Sequence, residues 1–391
     1  MRKRIAIVFF CVAMLQIGVL AQKVPGVVVN HIPASTQTYI GSPSICILPN
    51  GDYVASHDHF GKGSTEHEQA LTAVYKSSDK GKSWEKISEI KGQFWSNLFV
   101  HQNALYIMGT WKHHGNFIIR RSLDGGKSWS EPVDSQSGLL LEGEYHTAPM
   151  PVIVHAGRLW RAIENARSHT TAWGKRYSAM VISAPVSADL LNASSWTATN
   201  SLPYDSTYLN GKFGGWLEGN VVLTPEGKLV DMLRVATTEK GRDLAAMVEV
   251  NDQGTKVTFD PSTGFMDFTG GAKKFSVRYD KKSKRYWTLA NLVKDEFAHL
   301  PASSVRNTLV LKSSADLKNW TTHQILLSHP DVARHGFQYV DWQFDGRHIL
   351  FLSRTAYDDE FGGARNYHDA NYLTFHRIRN FRSLIKETVG R

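Results

Sequence analysis

The stretch Ser122-Leu-Asp-Gly-Gly-Lys-Ser-Trp129 repeats, almost letter for letter, Ser77-Ser-Asp-Lys-Gly-Lys-Ser-Trp84. Both read Ser-x-Asp-x-Gly-x-x-Trp. An Asp at that spacing can accept hydrogen bonds from backbone N–H groups of its own turn, and the Gly tolerates a positive φ. The Trp opens the next strand and packs over the turn. The motif predicts a stapled β-hairpin, and two copies in one chain predict repeated hairpins.

Short alternating apolar runs separated by turn signals surround the staples, with no long helical period. The first module pairs Ser44-Ile-Cys-Ile-Leu48 with Asp52-Tyr-Val-Ala-Ser56 across Pro49-Asn-Gly51, then reaches its staple through Thr72-Ala-Val-Tyr75. The same order recurs in five further modules. The third ends in a stretched staple, Ser187 to Trp196, and the fifth in Ser314-Ala-Asp-Leu-Lys-Asn-Trp320, one residue short, whereas the fourth has lost its staple. This predicts an all-β fold, a single β-propeller of six four-stranded blades. The sixth module lacks a fourth strand and Val27-Val-Val-Asn30 lacks a partner, so an N-terminal strand is expected to close the ring.

Met1-Arg-Lys-Arg4, an apolar run to Leu20 and Ala21 read as a secretory signal peptide over residues 1–21, with the propeller as catalytic domain over 22–391. A bacterial protein exported to the periplasm, secreted or held at the cell surface is expected, without stable membrane insertion. Cys46 is then the one cysteine left, so no intramolecular disulfide can form and stability must come from the core. Removing Arg2, Lys3 and Arg4 lowers the formal charge of +9 by three, to +6. That balance suits an acidic glycan, and equally ordinary surface lysines; no nucleic-acid partner is expected, and a monomer is.

Labelling each blade's strands A to D outward from the axis puts the A–B turns and the staples, which are C–D turns, on one face. The B–C and D–A loops lie on the other. There the B strands deliver His57-Asp-His59, Trp111-Lys-His-His114, Glu164-Asn-Ala-Arg167, Arg234, Asn291 and Arg354, and the D–A loops add Trp95, Glu144-Tyr-His146, Trp216-Leu-Glu-Gly-Asn220 and His335. Aromatic faces suit sugar rings, Arg suits a carboxylate, and His titrates near neutrality, so this mouth reads as a carbohydrate pocket. Insertions at 168–175 and 356–371 rim it. His57 and His146 are the catalytic candidates, and His59, Glu164, Arg167, Trp216, Arg234 and Arg354 the substrate-binding ones. Structural alternatives exist for each kind: strand-end hydrogen bonds for His57 and His59, ion pairing for Arg234 and Arg354, a solvated loop for His113-His114, the core for Trp216. His57, His59 and His146 could ligate a metal, but no spacing is diagnostic; we assign no metal and no cofactor.

The staples resemble the Asp-boxes (BNR repeats) of sialidase-like propellers, module by module across the mature chain. Where sialidases carry a Tyr-Arg-Ile-Pro-Ser-like stretch with their first catalytic arginine, this chain has Tyr39-Ile-Gly-Ser-Pro-Ser44. Asp52-Tyr-Val-Ala-Ser-His-Asp58, Glu144-Tyr-His-Thr-Ala-Pro149 and Tyr367 to Arg377 resemble instead Bacteroidetes propeller enzymes: glycoside hydrolase family 145, rhamnosidases acting on rhamnose-α-1,4-glucuronate, and the ulvan lyases of polysaccharide lyase families 24 and 25. These are described as seven-bladed, so the resemblance extends the expectation to six or seven blades. The resemblance implies a glycosidase cleaving a uronate-containing plant or algal polysaccharide, with His57 as general acid/base. The alternatives are a lyase, in which His146 and Arg234 would act and Tyr177 or Tyr208 supply the phenol, and a glycan-binding propeller without catalysis. A carboxylate pair drawn from Asp58, Glu144, Glu164 and Glu218 also falls on this face.

Overall fold

The computed structural model describes residues 23–65 and 67–387; the expected signal peptide lies outside the described residues. The described residues form six antiparallel sheets. Their innermost strands are Thr38–Ile47, Phe94–His101, a broken strand of Tyr145–His146 and Ile153–His155, Phe213–Leu223, Ser276–Asp280 and Gly336–Asp345. The fold is a six-bladed β-propeller, without the seventh blade implied by the resemblance to the family 145 and lyase propellers. Val27–His31 pairs with Tyr372–Ile378 as the outermost strand of blade six.

Alternation decides the packing. In Tyr53–Gly61, the second strand of blade one, Tyr53 and Ala55 join a buried cluster with Leu350, Leu373 and Phe375 of blade six. Val54, on the other face, joins Leu98 and Ile107 of blade two. Four further clusters join blades two and three, three and four, four and five, and five and six. Each blade thus buries both faces against its neighbours, at about 1.5–3 kcal/mol per large side chain.

The staples form as their spacing dictates. Asp124 accepts the Lys127 and Ser128 N–H groups at 3.0 Å each and the Ser128 hydroxyl at 2.6 Å, while Ser122 Oγ donates to Asp124 and accepts the Gly126 N–H, both at 2.8 Å. Asp79 repeats this pattern with Ser77, Gly81, Lys82 and Ser83. The short copy needs one left-handed residue, Leu317 at φ 65°, where the full ones use two, such as Lys80 and Gly81. In blade four Asn251 takes over, its Oδ1 accepting the Thr255 and Lys256 N–H groups at 2.9 Å each. Lys80 Nζ donates to the Gly51 carbonyl at 2.6 Å, which fixes the first staple beside the A–B turn of its own blade. The B–C and D–A loops meet at the other end of the axis.

One device recurs there. The inner strands of blades one, two, four and six each carry a β-bulge, at Gly41-Ser42, Trp95-Ser96, Glu218-Gly219 and Tyr339-Val340. Trp95, Glu218 and Tyr339 take φ values of 47°, 58° and 52°, a region that costs non-glycine residues energy and re-aims the side chain. Blade three has a gap instead. The buried Arg161 guanidinium spans it, donating from Nη2 to Thr147 Oγ1 at 2.8 Å and to the Ala148 carbonyl at 2.7 Å.

Candidate active site

The bulges converge on a charged cluster. From blade four, Arg234 Nη1 donates to Glu218 Oε2 at 2.9 Å, and Arg234 Nε donates to the Ala272 carbonyl at 2.9 Å. The Tyr339 hydroxyl, from blade six, interacts with both Glu218 and Arg234. Two more guanidiniums approach the Tyr339 ring, Arg306 at 5.6 Å and Arg354 at 5.2 Å from its centroid. Its neighbours are anchored: Lys274 Nζ donates to the Val340 carbonyl at 2.6 Å, and Gln338 accepts from Arg306 and donates to the Tyr367 carbonyl.

These contacts set the protonation states. Burial alone would raise Glu218, but the Arg234 charge and the hydrogen bonds from Arg234 and Tyr339 hold it below its ordinary value, so it remains a carboxylate. Burial and the Glu218 charge raise Tyr339, against the pull of Arg234, Arg306 and Arg354. Burial draws Arg354 down to about 10; Tyr339 opposes this and Arg306 adds to it. Arg354 Nη2 donates to the His368 carbonyl at 2.6 Å, whereas its buried Nε has no partner, a donor without an acceptor. Glu218 therefore faces a phenol proton across a site with a surplus of guanidinium. That arrangement can take the proton, stabilise the phenolate and clasp an anion.

Asp58 flanks the cluster. The missing Cβ of Gly41, at the blade-one bulge, leaves room for its carboxyl group, since a Cβ there would come within 2.6 Å of Oδ2. Asp58 Oδ1 accepts the Ser42 N–H at 2.9 Å, and Oδ2 is buried without a partner. Burial pushes Asp58 up to about 7. It is a carboxyl able to carry a proton near neutrality.

A second buried pair lies beside the first. His146 Nδ1 and Glu164 Oε2 are 2.7 Å apart, both side chains 1 % exposed. Burial and then the Glu218 charge push Glu164 up to about 8, and burial lowers His146, so the pair holds one proton between two groups. Trp95, Tyr177 and the half-exposed Trp173 surround His146, with ring centroids 4.3, 4.3 and 5.5 Å away. His114 is buried, not solvated: its Nε2 meets the Tyr177 hydroxyl at 2.9 Å and its Nδ1 the Arg176 guanidinium at 3.0 Å.

Of the residues anticipated from the sequence, Arg234, Arg354, His146 and Glu164 thus come together. Four candidates fall elsewhere. His57 is fully buried between blades one and six, its Nε2 2.9 Å from the Asn30 amide of the outermost blade-six strand. Its side chain leaves its strand on the Tyr53 and Ala55 face, and burial pulls it down to about 3. Trp216 is core, 0 % exposed among Phe213, Tyr208 and Phe259, so it offers no platform to a sugar. Arg167 is exposed on the rim. His59 is half-buried beside His57, with ring centroids 5.2 Å apart, so His57, His59 and His146 do not form a metal-ligating trio. Tyr339, Arg306 and Gln338 escaped the sequence reading. Arg306 ends the B–C loop of blade five, and the face rule alone would have found it; Tyr339 carries no such signal.

No family model matches the chain, and no curated protein matches it. Solved structures do. A Dyadobacter fermentans protein of unknown function aligns at TM-score 0.60 and 16 % identity over 92 % of this chain and 99 % of its own. A Penicillium chrysogenum α-L-arabinanase aligns at TM-score 0.56 and 15 % identity, covering 91 % and 98 %. A Hadza microbial sialidase aligns at TM-score 0.57 and 16 % identity, covering 91 % and 69 %. At such identities the likeness shows the fold, that of the sialidase and arabinanase-type six-bladed propellers.

Proposed function

We propose that the protein is a glycoside hydrolase that attacks a carboxylate-bearing sugar of an acidic plant or algal glycan, with Tyr339 as nucleophile. The observation that carries this reading is the Tyr339 phenol held by the Glu218–Arg234 pair and flanked by Arg306 and Arg354. Glu218 takes the phenol proton as Tyr339 attacks the anomeric carbon, and a glycosyl-tyrosine forms; Asp58, protonated near neutrality, gives its proton to the departing oxygen. Water then attacks the anomeric carbon and gives a proton to Asp58, while Glu218 returns its proton to the departing Tyr339 oxygen. A phenol approaches an anomeric centre beside a carboxylate without the repulsion that a carboxylate nucleophile would meet. Two of the structural neighbours, the α-L-arabinanase and the sialidase, are glycosidases, which agrees with this reading. The arginine lacking at Tyr39 to Ser44 finds its replacement in Arg354, supplied by blade six.

The rhamnose-α-1,4-glucuronate cap is the other arrangement of these parts, with the uronate on the leaving side of the bond. A lyase reading draws on Tyr177 and His146, whose ring centroids are 4.3 Å apart, but both side chains are more deeply buried than Tyr339.

The deciding assay is product analysis on ulvan, gum arabic and chromogenic sialosides, glucuronides, galacturonides and rhamnosides. The expected result is release of an acidic sugar, no 4,5-unsaturated uronate absorbance, and a loss of about 10²–10⁴-fold in kcat for Tyr339→Phe. Free rhamnose from gum arabic moves the uronate to the leaving side. Unsaturated uronate formed at an undiminished rate by Tyr339→Phe overturns the hydrolase reading, and binding without either product overturns catalysis altogether.

A further inference from the structure

Two loops of blade six, one before its innermost strand and one after its second, meet at side chains that the reaction above does not use. His329, His335 and Asp358 each offer one ligand atom, and the three atoms lie within 4.8 Å of one another. His335 is the decisive member. Its side chain is 4 % exposed, and both ring nitrogens are buried without a hydrogen bond. Its Nε2 lies 3.4 Å from Asp358 Oδ2 and its Nδ1 3.3 Å from Asp331 Oδ2, in poor hydrogen-bond alignment. The ring stacks on that of His329 with centroids 3.5 Å apart, and His329 Nδ1 accepts the Asp331 backbone N–H at 3.1 Å. Buried polar atoms are nearly always matched, and an imidazole with neither nitrogen matched signals a missing partner.

We propose that His329, His335 and Asp358 bind a divalent transition-metal ion of the zinc class. Two borderline imidazole nitrogens with one carboxylate oxygen make a donor set that zinc accepts, and bonds of about 2.0–2.2 Å would draw the two loops together. Asp331 Oδ2, 3.3 Å from His335 Nδ1, stands behind that ring, placed to take its Nδ1–H once an ion orients the imidazole, as the outer partner of a metal-bound histidine. The ion reinforces a tie that the backbone begins: the Tyr367 N–H donates to the Ala333 carbonyl at 2.8 Å, and Arg334 Nε donates to the Ala364 carbonyl at 3.1 Å. The His368 carbonyl, at the end of the tied loop, anchors Arg354. The ion is structural, and its binding is independent of the reaction proposed above.

The test uses the full protein, stripped with a chelator and exchanged into metal-free buffer. Zinc chloride is titrated calorimetrically, and cobalt(II) chloride by visible absorbance. Saturable uptake of one equivalent per chain, a raised thermal midpoint and the visible bands of tetrahedral cobalt are expected. Asp331→Asn should weaken zinc binding about 10–100-fold, and His335→Ala and Asp358→Asn should abolish it with an unchanged far-UV spectrum. Should His335→Ala fail to fold, Asp358→Asn decides alone, since that side chain is 38 % exposed. No saturable uptake by the wild type, or uptake undiminished in Asp358→Asn, overturns the site.

Discussion

At the scale of the residue, position in the sheet separates side chains that look alike in the sequence. His57 and Asp58 are neighbours, yet one packs between blades and the other abuts the blade-one bulge. His57→Ala is expected to keep the hydrolytic rate and to lose about 1–3 kcal/mol of stability, because the Asn30 amide is left unmatched; a urea titration beside a rate measurement separates the two effects. Glu218→Gln should lose about 10²–10⁴-fold in kcat with little change in KM. Arg354→Lys should instead raise KM, by about 10–100-fold, the worth of a charged hydrogen bond of about 1.5–3 kcal/mol. If Asp58 is the acid, kcat/KM falls as pH rises past about 7, where that group loses its proton, and Asp58→Asn removes this limb of the profile. Alternation in Gln338-Tyr-Val-Asp-Trp342 reads as plain strand, which hid Tyr339. Only a positive φ at a tyrosine sends it to the axis, and no glycine or asparagine announces that turn.

At the scale of the element, local chemistry was legible and long-range register was not. A staple closes within eight residues, and every hydrogen bond its spacing promised is present in both full copies. The bulges depend on a partner strand that the sequence places only roughly, so the blades were countable and the bulges were not. The staples are structural, and their weak point is the serine. Ser122→Ala leaves the buried Gly126 N–H without its acceptor and should cost about 1–3 kcal/mol. This would appear as a lower urea midpoint at an unchanged m-value.

At the scale of the molecule, the buried titratable groups give stability a pH optimum. Burial lowers His57, His146 and His376 to about 3 and His368 to about 4, so the unfolded chain binds more protons below about pH 6.5, and stability rises with pH up to that point. Burial raises Asp58 to about 7 and Glu164 to about 8, so the folded chain holds those protons longer and their contribution falls as pH climbs. Below about pH 6.5 the two sets oppose each other; above it only the carboxyl groups titrate. The thermal midpoint should peak near pH 6.5 and decline toward pH 8, and Glu164→Gln should flatten the decline; a midpoint still climbing at pH 8 would refute the assignment. The ring itself was readable because each module repeats one order of strands, whereas the site draws on all six blades at once and no single repeat contains it. The bulges around the axis carry a consequence for descent and redesign. Each is a socket whose backbone path is fixed by the sheet behind it, while the head it presents is tryptophan in one blade, glutamate in another and tyrosine in a third. Chemistry can be exchanged at these sockets without rewriting the frame, so one propeller can be retooled for a new reaction by a few substitutions.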